Sequence, residues 1–174
     1  MEAQRPIPRS LLATLLENAT WAPTHGMTEP WHFEIYEGDS RARFAETLQT
    51  LYDAATPTNQ IRPEKRTKLG TNPLLAPTLV LLVCRPGGNP KISLTEEIEA
   101  VACAAQNLHL AATAANLGGF WSSPPCLEHQ TAPTTLGLQP GDHPLGIFYL
   151  GWPKTDMPPA PKRTPWKEKA VFHA

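Results

Sequence analysis

Apolar residues recur along this chain at two spacings, and the switches between them divide it into helices and strands. Leu11, Leu12, Leu15, Leu16 and Ala19 lie at helical intervals, which predicts an amphipathic helix over about residues 9–20. Trp31–Tyr36 alternates with period two, so Trp31, Phe33 and Ile35 should share the buried face of a strand. Glu37-Gly38-Asp39-Ser40 reads as a turn, with Asp39 or Ser40 able to cap the helix that follows. Phe44, Leu48 and Leu51 give that helix one apolar side and carry it to about Ala55. Residues 56–73 are polar and broken by proline, with a short charged helix expected near Glu64–Leu69. That stretch is either a surface connector or a mobile flap.

The second half opens on Thr78–Cys84, an unbroken run of mainly Leu and Val that suits a central strand covered on both faces. Arg85–Pro90 is a turn, and Ser93-Leu94-Thr95-Glu96 has the form of a capping box that starts a helix running to about Leu117. Alanines occupy nearly every face of this helix, from Ala100 to Ala115. A helix apolar all round is buried, so it should form the middle of the core or of a dimer interface. Leu145–Gly151 is the last clear strand. Dense prolines from Pro153 to Pro165 then predict an extended rather than helical tail.

With 174 residues and no repeat or composition break, the chain is expected to form one domain, 1–174, in which 153–174 is the tail. A formal net charge of −1 gives no reason to expect nucleic acid or an anionic membrane as partner. The run Leu79–Cys84 is too short to span a bilayer, and Met1–Pro6 lacks an apolar signal core, so a cytoplasmic location is expected. Cys84, Cys103 and Cys126 are far apart and odd in number, which indicates neither a disulfide framework nor a zinc site. Cys84 and Cys103 are expected in the core.

No histidine pair with metal spacing, no GxSxG elbow and no GxGxxG fingerprint occurs in the sequence. Any catalysis then falls to a cofactor that the protein positions. Two segments could hold one. Ala22-Pro23-Thr24-His25-Gly26-Met27-Thr28-Glu29-Pro30-Trp31-His32-Phe33 reads as a helix end, a tight polar loop and an aromatic strand. Asn116-Leu117-Gly118-Gly119-Phe120-Trp121-Ser122-Ser123 repeats the device. Taken alone, each is also explained as a helix terminus, with Thr24 and His25 satisfying carbonyls and Gly118 stopping the helix.

Together these blocks resemble the small members of the nitroreductase family, over nearly the whole chain. The matching stretches are Asn18–Pro23 with Glu29–Phe33, Ala104–Ala112 followed by Gly118-Gly119-Phe120-Trp121, and Leu145–Gly151 with its Trp152-Pro153 exit. The resemblance implies an α+β sandwich, a mainly antiparallel sheet flanked by helices, assembled as an intertwined homodimer. It also implies flavin mononucleotide (FMN) at the dimer interface, reduced by NAD(P)H and reoxidised by a nitro compound, quinone or similar small acceptor. Position by position, Pro23, Thr24, His25 and Met27 correspond to one flavin-contacting segment, and Trp121, Ser122 and Ser123 to the other. Arg163 matches a basic position that reaches the flavin phosphate. The chain departs from the family pattern in three places. An Arg-Arg-Ser segment expected before Arg5–Pro8 is not in the sequence, Trp21 and Ser122 stand where small members carry arginine, and Glu29 replaces glutamine. A non-catalytic dimer binding flavin weakly, or another flat ligand, is the alternative these departures suggest.

Overall fold

A computed structural model describes residues 1–155 and 161–173 of the chain. Helix α1 spans Arg9–Thr20, strand β1 Trp31–Glu37, helix α2 Ser40–Ala55 and helix α3 Pro63–Thr71. They are followed by β2 (Thr78–Cys84), α4 (Leu94–Ala114), β3 (Gly118–Ser122), the one-turn helix α5 (Ala132–Thr135) and β4 (His143–Gly151). The four strands form one antiparallel sheet in the order β1-β2-β4-β3. The register pairs Trp31 with Cys84 and Cys84 with His143, while Ser122 lies opposite Ile147.

Every residue of β2 is buried because helices cover the sheet on both sides. On one face Val80, Leu82 and Phe148 meet Leu12, Leu15 and Ala19 of α1 and Val101, Ala104 and Leu108 of α4. On the other, Leu79, Leu81, Val83 and Ile147 meet Phe44, Leu48 and Leu51 of α2, with Cys126 and Leu127. The unbroken apolar run of β2 is thus the middle layer of a three-layer α+β sandwich. Strand β1 follows its period-two pattern, with Trp31, Phe33 and Ile35 packed, half-buried, on the α1–α4 side.

Four local readings are corrected. Neither Asp39 nor Ser40 caps α2; the Ser40 hydroxyl bonds the backbone N–H and carbonyl of Glu37 and closes the turn instead. Helix α4 ends three residues before Leu117, because Asn116 takes a left-handed conformation (φ 59°). The bonds Leu117 N–H to Ala112 O and Asn116 N–H to Thr113 O then satisfy the last carbonyls, a Schellman closure with asparagine in the usual glycine place. Within one chain α4 is not covered all round: Cys103, Gln106, Leu110 and Ala114 face solvent, so Cys103 lies outside the core that holds Cys84. In the tail, Trp166–Glu168 makes a single 3-10 turn, and the part of the expected extended segment at 156–160 lies outside the described residues.

Candidate functional site

The loop between α1 and β1 is built on an unusual backbone. Gly26, Met27 and Glu29 all have positive φ (59°, 54° and 48°), and only the first is glycine. Left-handed conformations cost side-chain-bearing residues about 1 kcal/mol or more each, so the surroundings must hold this shape. They do so through the first turn of α4, whose capping box is complete: Glu96 N–H bonds Ser93 Oγ and the Glu96 carboxylate accepts from Ser93 N–H at 2.8 Å. The same carboxylate accepts from His25 Nδ1 at 2.6 Å. Bonding to Ser93 and His25 pulls the Glu96 carboxyl down to about 2. An ionised carboxylate only accepts, so Nδ1 carries the hydrogen and Nε2 of His25 is left for another partner. The adjoining Glu97 is 3% exposed. It accepts from Thr28 Oγ1 at 2.8 Å and from Gly87 N–H at 3.1 Å. Thr28 Oγ1 in turn lies 3.2 Å from Thr24 Oγ1, which accepts from Glu29 N–H at 3.1 Å. Two neighbouring glutamates therefore strap the loop to α4.

Below the loop a second polar group ties three strand ends together. Arg85 donates through Nε and Nη2 to both oxygens of buried Asp142, at 2.9 and 2.7 Å. These bonds hold the Asp142 carboxyl below the usual carboxylate range. Arg85 Nη1 lies 3.3 Å from His32 Nδ1, and His32 Nε2 lies 2.7 Å from Glu34 Oε1. With Nε2 donating to Glu34, Nδ1 accepts from Arg85, an arrangement that satisfies both ring contacts and links the three side chains. Sequence reasoning missed both glutamates and this arrangement. Ser93-x-x-Glu96 gave Glu96 a capping role, but nothing in the sequence brings α4 next to His25 or Asp142 next to Arg85.

The candidate residues fall into three places. Pro23, His25 and Met27 project into solvent from the strapped loop, Met27 being 75% exposed, and Thr24 is half-buried beneath them. Trp121, Ser122 and Ser123 lie at the end of β3. The Trp121 indole packs over Gly146, where a Cβ would also come within 2.8 Å of the Ser122 carbonyl. Ser123 Oγ bonds the Leu145 carbonyl at 3.0 Å. Arg163 is exposed on the tail and forms no ion pair or side-chain hydrogen bond among the described residues. The loop precedes β1 and the serines end β3, so the two segments belong to opposite edges of the sheet, three strand spacings or about 14 Å apart.

Ser122 lines a cavity of about 720 Å³ between α3 and the β3–β4 edge. Tyr52, Leu69, Tyr149 and Pro124 give it apolar walls, and Arg62, Lys65 and Lys68 its charge. Burial raises the Tyr149 phenol to about 12, so its hydroxyl stays protonated. Among the described residues no three His, Cys, Asp or Glu side chains are placed to hold a metal ion, and no helix is long and apolar enough to cross a membrane.

Fold and loops define a class: three-layer α+β proteins with a polar loop before one edge strand of a short antiparallel sheet and a glycine-led aromatic strand at the other edge. The family comparison makes this specific, since the sequence model of the nitroreductase family matches residues 2–152. The chain belongs to the nitroreductase family. It is 29% identical over 143 residues to a protein of Escherichia coli (strain K12) provisionally named NAD(P)H nitroreductase YdjA, covering 82% of this chain and 76% of that one. It is 28% identical over 167 residues to the similarly named YfhC of Bacillus subtilis (strain 168), covering 95% and 84%. A crystal structure of a nitroreductase-like family protein from Bacillus cereus superposes with a TM-score of 0.79 at 26% identity, covering 97% of this chain and 87% of that one. The FMN-dependent nitroreductase NfnB of Mycobacterium smegmatis, solved in complex with NADPH, shares the fold at 19% identity with a TM-score of 0.71, covering 98% and 90%.

Proposed function

We propose that this chain is an FMN-dependent oxidoreductase that takes electrons from NAD(P)H and passes them to a nitro compound, quinone or similar small acceptor in the cytoplasm. The flavin is held between two copies of a single-domain chain. The observation that carries this reading is the separation of the two ligand segments. Pro23, Thr24, His25 and Met27 sit at one edge of the sheet and Trp121, Ser122 and Ser123 at the other. One chain cannot close both on a single flat ring, whereas two copies related by a twofold axis can set the loop of one against the β3 end of the other.

Exposed apolar side chains support such a pairing. Leu110 on α4 is 60% exposed, Phe120 on β3 is 62% exposed, and the tail carries exposed Trp166, Val171 and Phe172. Soluble monomers rarely leave this much large apolar surface in water. The tail from 153 to 174 would reach the partner and bring Arg163 to the phosphate.

The residues present fit the cofactor. A flat tricyclic ring needs apolar walls with a few convergent donors, and the cavity beside Ser122 offers Tyr52, Leu69 and Pro124 together with hydroxyl and cationic donors. Bound FMN supplies the two-electron exchange between nicotinamide and acceptor. His25, fixed by Glu96 through Nδ1, presents Nε2 as a single oriented contact from the loop. The Glu97 strap keeps the loop's strained backbone in place before any ligand arrives, so its ordering cost is met on folding. Solvent water suffices as proton source, and no side chain is assigned as acid or base.

The visible absorbance spectrum of the purified protein, followed by titration with FMN, tests the reading. A flavin spectrum, or saturable binding at one flavin per chain by a dimeric species, is the expected result. A colourless protein that ignores added flavin would refute it and leave a non-catalytic member of the family.

A further inference from the structure

The cavity beside Ser122 has a charge pattern that the fold alone does not require. Four cations lie between Arg62 and Lys68, on α3 and the residue just before it. Arg66 is spent on structure: its Nε lies 2.9 and 3.0 Å from the two oxygens of Asp53 on α2, and its carbonyl accepts from Gln49 Nε2 at 3.1 Å. Gly70 lets the two helices approach closely, since a Cβ there would meet the Gln49 amide. Arg62 is held through its backbone N–H, which donates to Tyr52 Oη at 2.9 Å. Pinned in this way, the segment directs the other three cations, Arg62, Lys65 and Lys68, to the cavity.

None of the three is in an ion pair among the described residues. Among the described residues no aspartate or glutamate lines the cavity. The remaining polar lining includes Asn72, Ser122 and Tyr149, all able to donate hydrogen bonds. Three like charges gathered around one concavity repel one another, and an anion entering it relieves that repulsion while gaining charge-assisted bonds. Because Ser122 belongs to the β3 segment that matches the family, the cationic wall and the flavin segment share one hollow.

We infer that this cavity is an oxyanion site in which Arg62, Lys65 and Lys68 receive a phosphate group, and that the phosphate is that of the flavin nucleotide. The second half of the inference rests on the FMN reading; the first half does not. The three side chains are solvent-exposed, so each contact is screened, and removing all three should weaken phosphate binding about 10- to 100-fold.

The test is the triple variant Arg62→Gln, Lys65→Gln, Lys68→Gln, compared with wild type and with a charge-matched control away from the cavity (Arg9→Gln, Arg43→Gln, Lys91→Gln). Affinities for FMN, riboflavin, NADPH and inorganic pyrophosphate are measured by calorimetry at low and moderate salt. The expected result is a 10- to 100-fold loss for FMN in the cavity variant alone, with riboflavin unchanged and the wild-type preference for FMN shrinking as salt rises. If FMN is unaffected while NADPH and pyrophosphate weaken, the oxyanion site stands and its assignment to the flavin phosphate is overturned. If wild type binds neither flavin, yet pyrophosphate binds and depends on the three cations, the FMN reading falls and the oxyanion site survives. Equal losses for FMN and riboflavin, or no difference between cavity and control variants for any phosphate, overturn the site itself.

Discussion

Replacing Glu97 by alanine removes one of the two straps on the Thr24–Glu29 loop, and the structure sets the size of the effect. Two hydrogen bonds to a carboxylate are lost, from Thr28 Oγ1 at 2.8 Å and from Gly87 N–H at 3.1 Å. Bonds to a charged partner contribute about 1.5–3 kcal/mol each when the freed group cannot find water. Gly87 is exposed and Thr28 half-buried, so water recovers part of both. The expected cost is therefore about 2–4 kcal/mol, which for a chain of this size is a fall in Tm of roughly 5–15 °C. Glu97→Gln keeps one acceptor oxygen but turns an amide N–H2 towards the other donor, so it should recover about half of the loss. Urea unfolding of Glu97→Ala, Thr28→Val and the double variant isolates the strap, with an expected coupling of about 1–2 kcal/mol between the two sites. The loop should also loosen locally, seen as faster amide exchange at residues 25–29. A stability for Glu97→Ala within 0.5 kcal/mol of wild type, or additive single and double variants, would refute the argument that Glu97 holds this loop.

Other predictions address the ligand, the assembly and pH. Arg163→Ala should weaken FMN far more than riboflavin if Arg163 anchors the phosphate; equal losses in titration would remove it from the site. Ser122→Arg, restoring the residue that small family members carry, should tighten FMN binding several-fold if this position faces the phosphate, and an unchanged affinity counts against the pose. Leu110→Glu places a charge on the exposed strip of α4 and should shift the protein to monomer in sedimentation analysis while abolishing flavin retention; a dimer of undiminished affinity would move the interface elsewhere. Asp142 has a folded pKa depressed by Arg85, so its contribution is complete above the unfolded value near 4 and disappears as pH falls towards the folded one. Asp142→Asn should cost about 1–3 kcal/mol at pH 7 and flatten the acid limb of a stability–pH curve. Parallel wild-type and variant curves below pH 4 would rule out this linkage.

Patterning carried most of the architecture. The helix over 9–20, the strand from Trp31, the β2 run and the capping box at Ser93 all occur where periodicity and punctuation put them, since each is a one-dimensional signal within a few residues of chain. The errors share a cause. Ser40 had two local partners available and took Glu37, and Asn116 used its tolerance for left-handed backbone to stop α4 before the glycines that looked like the stop. The exposed strip of α4 was illegible because alanine-rich sequence looks the same whether its cover is the core or a second chain.

The sequence by itself determined the order and kind of the elements other than the one-turn α5, the two loop segments and the family to which the chain belongs. It could do so because hydrophobic period, glycine and proline placement, and motif order are all properties of neighbouring residues. Tertiary structure alone decided what those segments meet. His25 lies 71 positions from Glu96, Thr28 lies 69 from Glu97, and Arg85 lies 57 from Asp142. Partners so far apart leave no mark on local pattern; they are brought together only when α4 packs against the sheet and β4 pairs with β2. The same packing turns α3, in sequence only a polar and charged helix, into the cationic wall of a cavity, because Asp53 claims one of four neighbouring cations and leaves three solvent-exposed ones along its rim.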